Sequence, residues 1–80
     1  MQVFVKLYAT LRKFAPAGTD IGESFTVNLE KGIVSELIDR LGIPENQARI
    51  ILINGTRVSD IEEKLKPDDL IVIFPPIGGG

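Results

Sequence analysis

The sequence predicts an α+β fold, a mixed sheet with one main helix packed on one face. Three observations predict it. Apolar and polar residues alternate in two segments near the N-terminus; the apolar spacing changes to three and four once, between residues 33 and 41; and short apolar runs then return, punctuated by Asn54-Gly55 and Pro75-Pro76. Alternation marks a strand with one face on a core, and spacings of three and four mark an amphipathic helix.

Val3, Val5 and Leu7 point one way and Phe4, Lys6 and Tyr8 the other, which predicts a first strand over residues 2–9. Leu11 and Phe14 fall on one side of a helical turn, and Pro16, Gly18, Thr19, Asp20 and Gly22 supply the chemistry of a long loop. Phe25, Val27 and Leu29 alternate with Thr26, Asn28 and Glu30, a second strand expected to pair antiparallel with the first. Ile33, Val34, Leu37, Ile38 and Leu41 make the helical stripe, with Gly32 expected at its start and Gly42 and Pro44 stopping it. The run Ile50, Ile51, Leu52 and Ile53 meets Asn54-Gly55, a pair that tolerates the positive φ angles of a tight hairpin, and returns as Thr56-Arg57-Val58. Ile61 and Leu65 suggest a short helical turn before the last strand, Leu70 to Phe74, which two prolines end.

That last strand is almost wholly apolar, so it is expected at the centre of the sheet beside the first, with both faces partly covered. The order of elements fits the ubiquitin-like β-grasp, read as a single domain over residues 1–76 followed by a flexible glycine tail, residues 77–80.

With 80 residues there is room for one small domain and none for a deep enzyme cleft. Nine basic residues against eleven acidic ones, scattered from Lys6 to Lys66, argue against nucleic acid as the main partner. The absence of cysteine and histidine removes thiolate metal sites, the cysteine nucleophile and the usual general base. Glu62-Glu63 and Asp68-Asp69 are adjacent carboxylates without a spaced ligand set, so no metal site is expected. The glycines fit no phosphate-loop spacing, so no bound nucleotide or other cofactor is expected either. Neither a signal peptide nor an apolar run approaching the roughly 20 residues of a membrane span is present. The expected location is cytoplasmic, with no membrane partner.

The unusual feature is the ending Phe74-Pro75-Pro76-Ile77-Gly78-Gly79-Gly80. Two prolines favour a stiff, extended departure from the sheet, and residues 77–80 then reach roughly 13 to 14 Å. Glycine has no Cβ, so such a backbone can approach a nucleotide or a catalytic residue that a larger side chain would block. The functional group would be the terminal carboxylate. It is inert until a partner adenylates it, after which a sulfur or nitrogen nucleophile can open the mixed anhydride. The competing reading is a frayed chain end with no chemistry.

Val3-Phe4-Val5-Lys6-Leu7-Tyr8-Ala9-Thr10-Leu11-Arg12, the helix over 33–41, Ile53-Asn54-Gly55, Asp68-Asp69-Leu70 and the Phe-Pro-Pro-Ile-Gly-Gly-Gly ending together resemble the small subunit of molybdopterin synthase. That is the MoaD-type sulfur carrier of the MoaD/ThiS family of ubiquitin-like proteins, and the likeness covers essentially the whole chain. The resemblance implies that Gly80 is adenylated by a ubiquitin-activating-type adenylyltransferase that uses ATP, and is then converted to a thiocarboxylate. A sulfurtransferase or cysteine desulfurase would supply the sulfur. Inserted into the molybdopterin synthase large subunit, the tail would donate sulfur to form the pterin dithiolene, the chain itself being a non-catalytic subunit. Gly79 would give the narrow approach, Phe74, Pro75, Pro76 and Ile77 would guide the tail, and Gly78 would join them in contacting the partner. Gly78 stands where many family members carry a side chain. Archaeal ubiquitin-like modifiers share nearly all these features, so conjugation to lysines through Gly80 stays open, as does a β-grasp interaction domain without terminal chemistry.

Burying Lys6 would be costly, so the helix is expected over Val3, Val5 and Leu7, leaving Phe4 and Tyr8 on the open face as a docking patch. The resemblance implies Ile71 and Ile73 inward, which would place Val72 and Phe74 beside Phe4 and Tyr8. It also implies that Arg12 lies near the interface with the activating enzyme; the plain alternative is a solvated charge.

Overall fold

The computed structural model describes residues 1–76. The expected tail, Ile77, Gly78, Gly79 and Gly80, lies outside the described residues.

Five strands form one sheet: β1 (Gln2–Leu7), β2 (Phe25–Asn28), β3 (Ile50–Ile53), β4 (Thr56–Val58) and β5 (Leu70–Phe74), in the spatial order β2-β1-β5-β3-β4. β5 runs parallel to β1, and the other neighbours are antiparallel. The last strand is therefore central and beside the first, as its apolar composition predicts. Val3, Val5, Ile71 and Ile73 are fully buried and share one core with Val34 and Leu37 of the helix α1 (Val34–Leu41). This is the β-grasp arrangement, one main helix packed on one face of a mixed sheet.

The helix ends are built from different materials. At the C-terminus Gly42 adopts φ 77°, where any residue with a Cβ is strained. Its N–H donates to the Asp39 carbonyl, and the Ile43 N–H donates to the Ile38 carbonyl. This paired closure satisfies two orphan carbonyls and turns Ile43 into the core. At the N-terminus the cap position is Ile33, one residue later than expected, and it has no side chain to cap with. The Val34 and Ser35 N–H groups donate instead to the carbonyls of Glu63 and Ile61, at 3.0 and 2.7 Å. The expected helical turn at Ile61 is accordingly cut to a single hydrogen-bonded turn, the Glu63 N–H on the Asp60 carbonyl at 3.0 Å, because the Ile61 and Glu63 carbonyls are taken by α1; beyond it Ile33 and Lys64 are bridged.

Glu36, in the first turn of α1, reaches back to accept from the N–H groups of Glu30, Lys31 and Gly32 at 2.7, 2.8 and 2.9 Å. Burial pushes its carboxyl up, but these three donors and the Arg40 guanidinium outweigh that effect and hold it below its ordinary value. The same contacts end β2 at Asn28, before the expected Glu30, because residues 30–32 turn their donors to Glu36.

β1 is also shorter than its alternation suggests. Ala9 takes φ 54° and opens a 3-10 turn, Ala9–Phe14, that buries Leu11. A second short 3-10 turn, Glu45–Gln47, follows Pro44 and has no counterpart in the sequence reading.

Candidate functional site

Strand parity decides what the uncovered face of the sheet carries. With Val3, Val5 and Leu7 in the core, Phe4, Lys6 and Tyr8 emerge on the other side, all half-buried. With Ile71 and Ile73 in the core, Leu70, Val72 and Phe74 emerge beside them. In β3 the buried residue is Ile51, which leaves Ile50 and Leu52 on the open side. The register then sets the rows: Arg57 opposite Leu52, Leu52 opposite Val72, and Val72 opposite Lys6. Two apolar residues thus sit between two cations, in a row crossing four strands. At about 4.8 Å per strand, Lys6 and Arg57 are about 14 Å apart along the row. No carboxylate occupies any open-face strand position, although the chain carries a net charge of −2.

The next row leads to the C-terminus. Ile50 lies opposite Phe74, and the Phe74 ring stacks on Tyr8 with centroids 4.9 Å apart and planes 13° from parallel. Phe74 is the last residue of the ladder, its carbonyl accepting from the Arg49 N–H at 3.1 Å. Pro75 and Pro76 follow without an N–H to extend the pairing, Pro75 half-buried and Pro76 exposed. Pro75 therefore leaves the ladder at the edge of an aromatic pair.

The start of β5 is fixed by a second device. Asn54, in the β3–β4 turn, donates from Nδ2 to Asp69 Oδ1 at 2.7 Å and accepts at Oδ1 from the Leu70 N–H at 2.9 Å. Asp69, almost fully buried, accepts through Oδ2 from the Lys66 N–H, and the Asn54 N–H donates to the Leu70 carbonyl. Asn54 at φ 51° and Gly55 at φ 87° give the turn the two positive φ values that match hairpin twist.

The structure brings Phe4, Tyr8 and Phe74 onto one face with Val72. Arg12 sits elsewhere in role: half-buried on the 3-10 turn, it donates from Nη2 to the Thr19 carbonyl at 3.3 Å, tying down the following loop. Sequence reasoning missed Ile50, Leu52, Leu70 and Arg57. An all-apolar β3 hides its parity, but counting outward from Asn54-Gly55 would have supplied it. Among the described residues no group of three or more potential metal ligands is close enough to hold an ion, and no helix is long and apolar enough to cross a membrane.

The model of the ThiS family matches residues 5–80. No curated protein matches the chain. Among solved structures, a Pyrococcus furiosus protein described as a candidate subunit 1 of molybdopterin converting factor is 28% identical, with 95% of this chain and 98% of that one covered and a TM-score of 0.67. SAMP1 of Haloferax volcanii is 23% identical with both chains covered completely, at a TM-score of 0.68. A Helicobacter pylori complex of subunits 1 and 2 of molybdopterin-converting factor is 22% identical, again with both chains fully covered, at a TM-score of 0.63.

Proposed function

The chain belongs to the ThiS family, and from that premise we propose that it is the sulfur carrier of molybdopterin synthesis, the small subunit of molybdopterin synthase. The observation that carries the reading is the 28% identity to the Pyrococcus protein over nearly the whole of both chains. The open face supports it, because an apolar strip flanked by Lys6 and Arg57 runs beside the stacked Tyr8–Phe74 pair, which Pro75 follows directly. Such a face positions a chain end on a partner; it performs no chemistry itself.

In this reading the Gly80 carboxylate attacks the α-phosphate of ATP in an activating enzyme, releasing pyrophosphate and leaving an acyl adenylate. The persulfide of a sulfurtransferase or cysteine desulfurase displaces AMP to form an acyl disulfide, and a thiol of the partner enzyme then attacks the enzyme-side sulfur, releasing the terminus as a thiocarboxylate and leaving an enzyme disulfide. In the synthase large subunit that sulfur is transferred to the pterin precursor. ATP and the proton-transfer groups belong to the partners, so a chain without histidine or cysteine suffices. Phe4, Tyr8, Phe74, Pro75 and Pro76 dock and aim the tail, Ile77, Gly78 and Gly79 thread it, and Arg12 holds the loop that follows the 3-10 turn.

The test is intact-mass spectrometry after incubation with activating enzyme, ATP and a sulfur donor, comparing wild type with a Gly80 deletion. The expected result is one oxygen-to-sulfur exchange, absent in the deletion. No exchange with an enzyme shown to be active would remove the reading. Isopeptide-linked products in cell extracts would instead indicate a protein modifier.

A further inference from the structure

Asn54 is the one asparagine here followed by glycine; Asn28 precedes Leu29 and Asn46 precedes Gln47. A backbone nitrogen can attack the side-chain amide before it, and glycine at that position offers the least hindrance. Yet the Asn54 amide is held at both ends. Its Nδ2 is on Asp69 and its Oδ1 on the Leu70 N–H, so the group is directed across to β5 rather than toward Gly55. Only this orientation fits, since the nitrogen must face the carboxylate and the oxygen the N–H. A cavity of about 240 Å³ lined by Asn54, Asp69, Lys64 and Lys66, among others, adjoins the clamp and is large enough to admit water.

We propose that Asn54 is a site of spontaneous deamidation which the native clamp to Asp69 and Leu70 holds off, and that its conversion opens the joint between the β3–β4 hairpin and β5. When the clamp opens, the Gly55 nitrogen loses its proton to solvent and bonds to Asn54 Cγ. The Cγ–Nδ2 bond breaks, and Nδ2 leaves as ammonia with a proton taken from water. Water then opens the cyclic imide at either carbonyl, giving aspartate or isoaspartate without any oxidation or reduction. The new carboxylate replaces a donor that lay 2.7 Å from Asp69 Oδ1, so an attraction becomes a repulsion between a carboxylate and a nearly buried neighbour. An isoaspartate also lengthens the backbone inside a turn that depends on positive φ at both central residues. The site therefore couples chemical ageing to the start of the strand that ends in Phe74.

The full chain is incubated in mildly alkaline buffer, natively and in concentrated urea, and conversion is followed by intact mass and peptide mapping. In urea the exchange of NH for O concentrates at Asn54. Natively its rate is at least about tenfold lower, because opening a charge-assisted hydrogen bond costs that much or more. Asp69→Ala raises the native rate toward the urea rate and leaves the urea rate unchanged. If that variant fails to fold, the wild type decides: through sub-denaturing urea, conversion must rise in step with hydrogen exchange at the Leu70 N–H. Asn54→Asp, one product of ring opening, is expected to exchange Leu70 faster than wild type. Equal native and urea rates, no conversion at Asn54 in urea, or a flat conversion rate while Leu70 exchange climbs would each overturn the proposal.

Discussion

Ile73 and Phe74 are neighbours in β5 on opposite faces, so truncating each separates what the core does from what the open face does. Ile73 is fully buried at the centre of the sheet, and Ile73→Ala is expected to cost about 4 kcal/mol of stability through lost burial and a cavity. Phe74 is half-buried. About half of a full phenylalanine burial is about 1 kcal/mol, and the stack on Tyr8 adds about 1 more, so Phe74→Ala should cost about 2 kcal/mol. With a urea m-value of about 1 kcal/mol/M for a chain of this size, the midpoint moves down by about 2 M. Under the proposed function, binding to the synthase large subunit should reverse the ranking. An aromatic anchor removed from the centre of an interface loses about 2 kcal/mol or more, about 30-fold in affinity, whereas the folded fraction of Ile73→Ala should bind as wild type does. Urea denaturation and a binding titration on the same samples read both quantities. Phe74→Ala as destabilising as Ile73→Ala, or binding within about threefold of wild type, would refute the assignment of the open face to docking.

Three further outcomes follow from other parts of the molecule. Lys6→Glu reverses one of the two cations flanking the apolar row, and should slow association with the large subunit and weaken its salt dependence while moving stability by less than about 0.5 kcal/mol; an unchanged association rate would remove the electrostatic part of the docking argument. Gly42→Ala meets open space around its Cβ, so its cost of about 1 kcal/mol should come from backbone conformation alone, and thermal unfolding should show Gly42→Asn as the milder change. Glu36, with its native carboxyl held below the ordinary value near 4.5, contributes stability that is present above the unfolded-state value and is lost as pH falls through the lowered native one. Glu36→Gln should therefore flatten the acid limb of a stability-against-pH curve in that window, and an unaltered slope would show that the three backbone donors do not favour the charged form.

How much of this was legible depends on whether the decisive interaction is written in local pattern. The hairpin was, because Asn54-Gly55 specifies positive φ at two successive residues and the structure has both. The helix C-terminus was legible for the same reason at Gly42. The helix N-terminus was not, because its donors are met by carbonyls of residues 61 and 63, about thirty positions away, and no spacing rule reaches that far. The open face was half legible. Lys6 fixed the parity of β1 by the cost of burying it, but β3 and β5 are apolar on both faces, so the parity of β5 follows from its register with β1, and that of β3 from its pairing with β5 and with Arg57 across the hairpin, rather than from their own composition. The tail is the reverse case. Pro75-Pro76 and the glycines declare an unpaired ending in the sequence, while the described residues carry the face only as far as Pro76.

Register is also where the two ends of β5 meet in one argument. A slip of one residue against β1 would carry Phe74 to the core side and Ile73 to the open side, undo the stack on Tyr8, and redirect the departure of Pro75. Apolar composition on both faces does little to resist such a slip, because either parity buries hydrocarbon. Polar bonds with single solutions resist it: Asn54 Oδ1 on the Leu70 N–H, Asp69 held by Asn54 and by the Lys66 N–H, and the Phe4 N–H on the Asp69 carbonyl at 2.8 Å. These contacts are local to residues 69 and 70, yet they determine which side chain stands last before the prolines. Asp69→Ala is thus expected to disturb the aromatic pair at the far end of the strand, with broadened or doubled ring resonances for Tyr8 and Phe74 in NMR spectra. Unperturbed ring resonances, in a variant that has lost the clamp, would show that the ladder with β1 and β3 sets the register unaided.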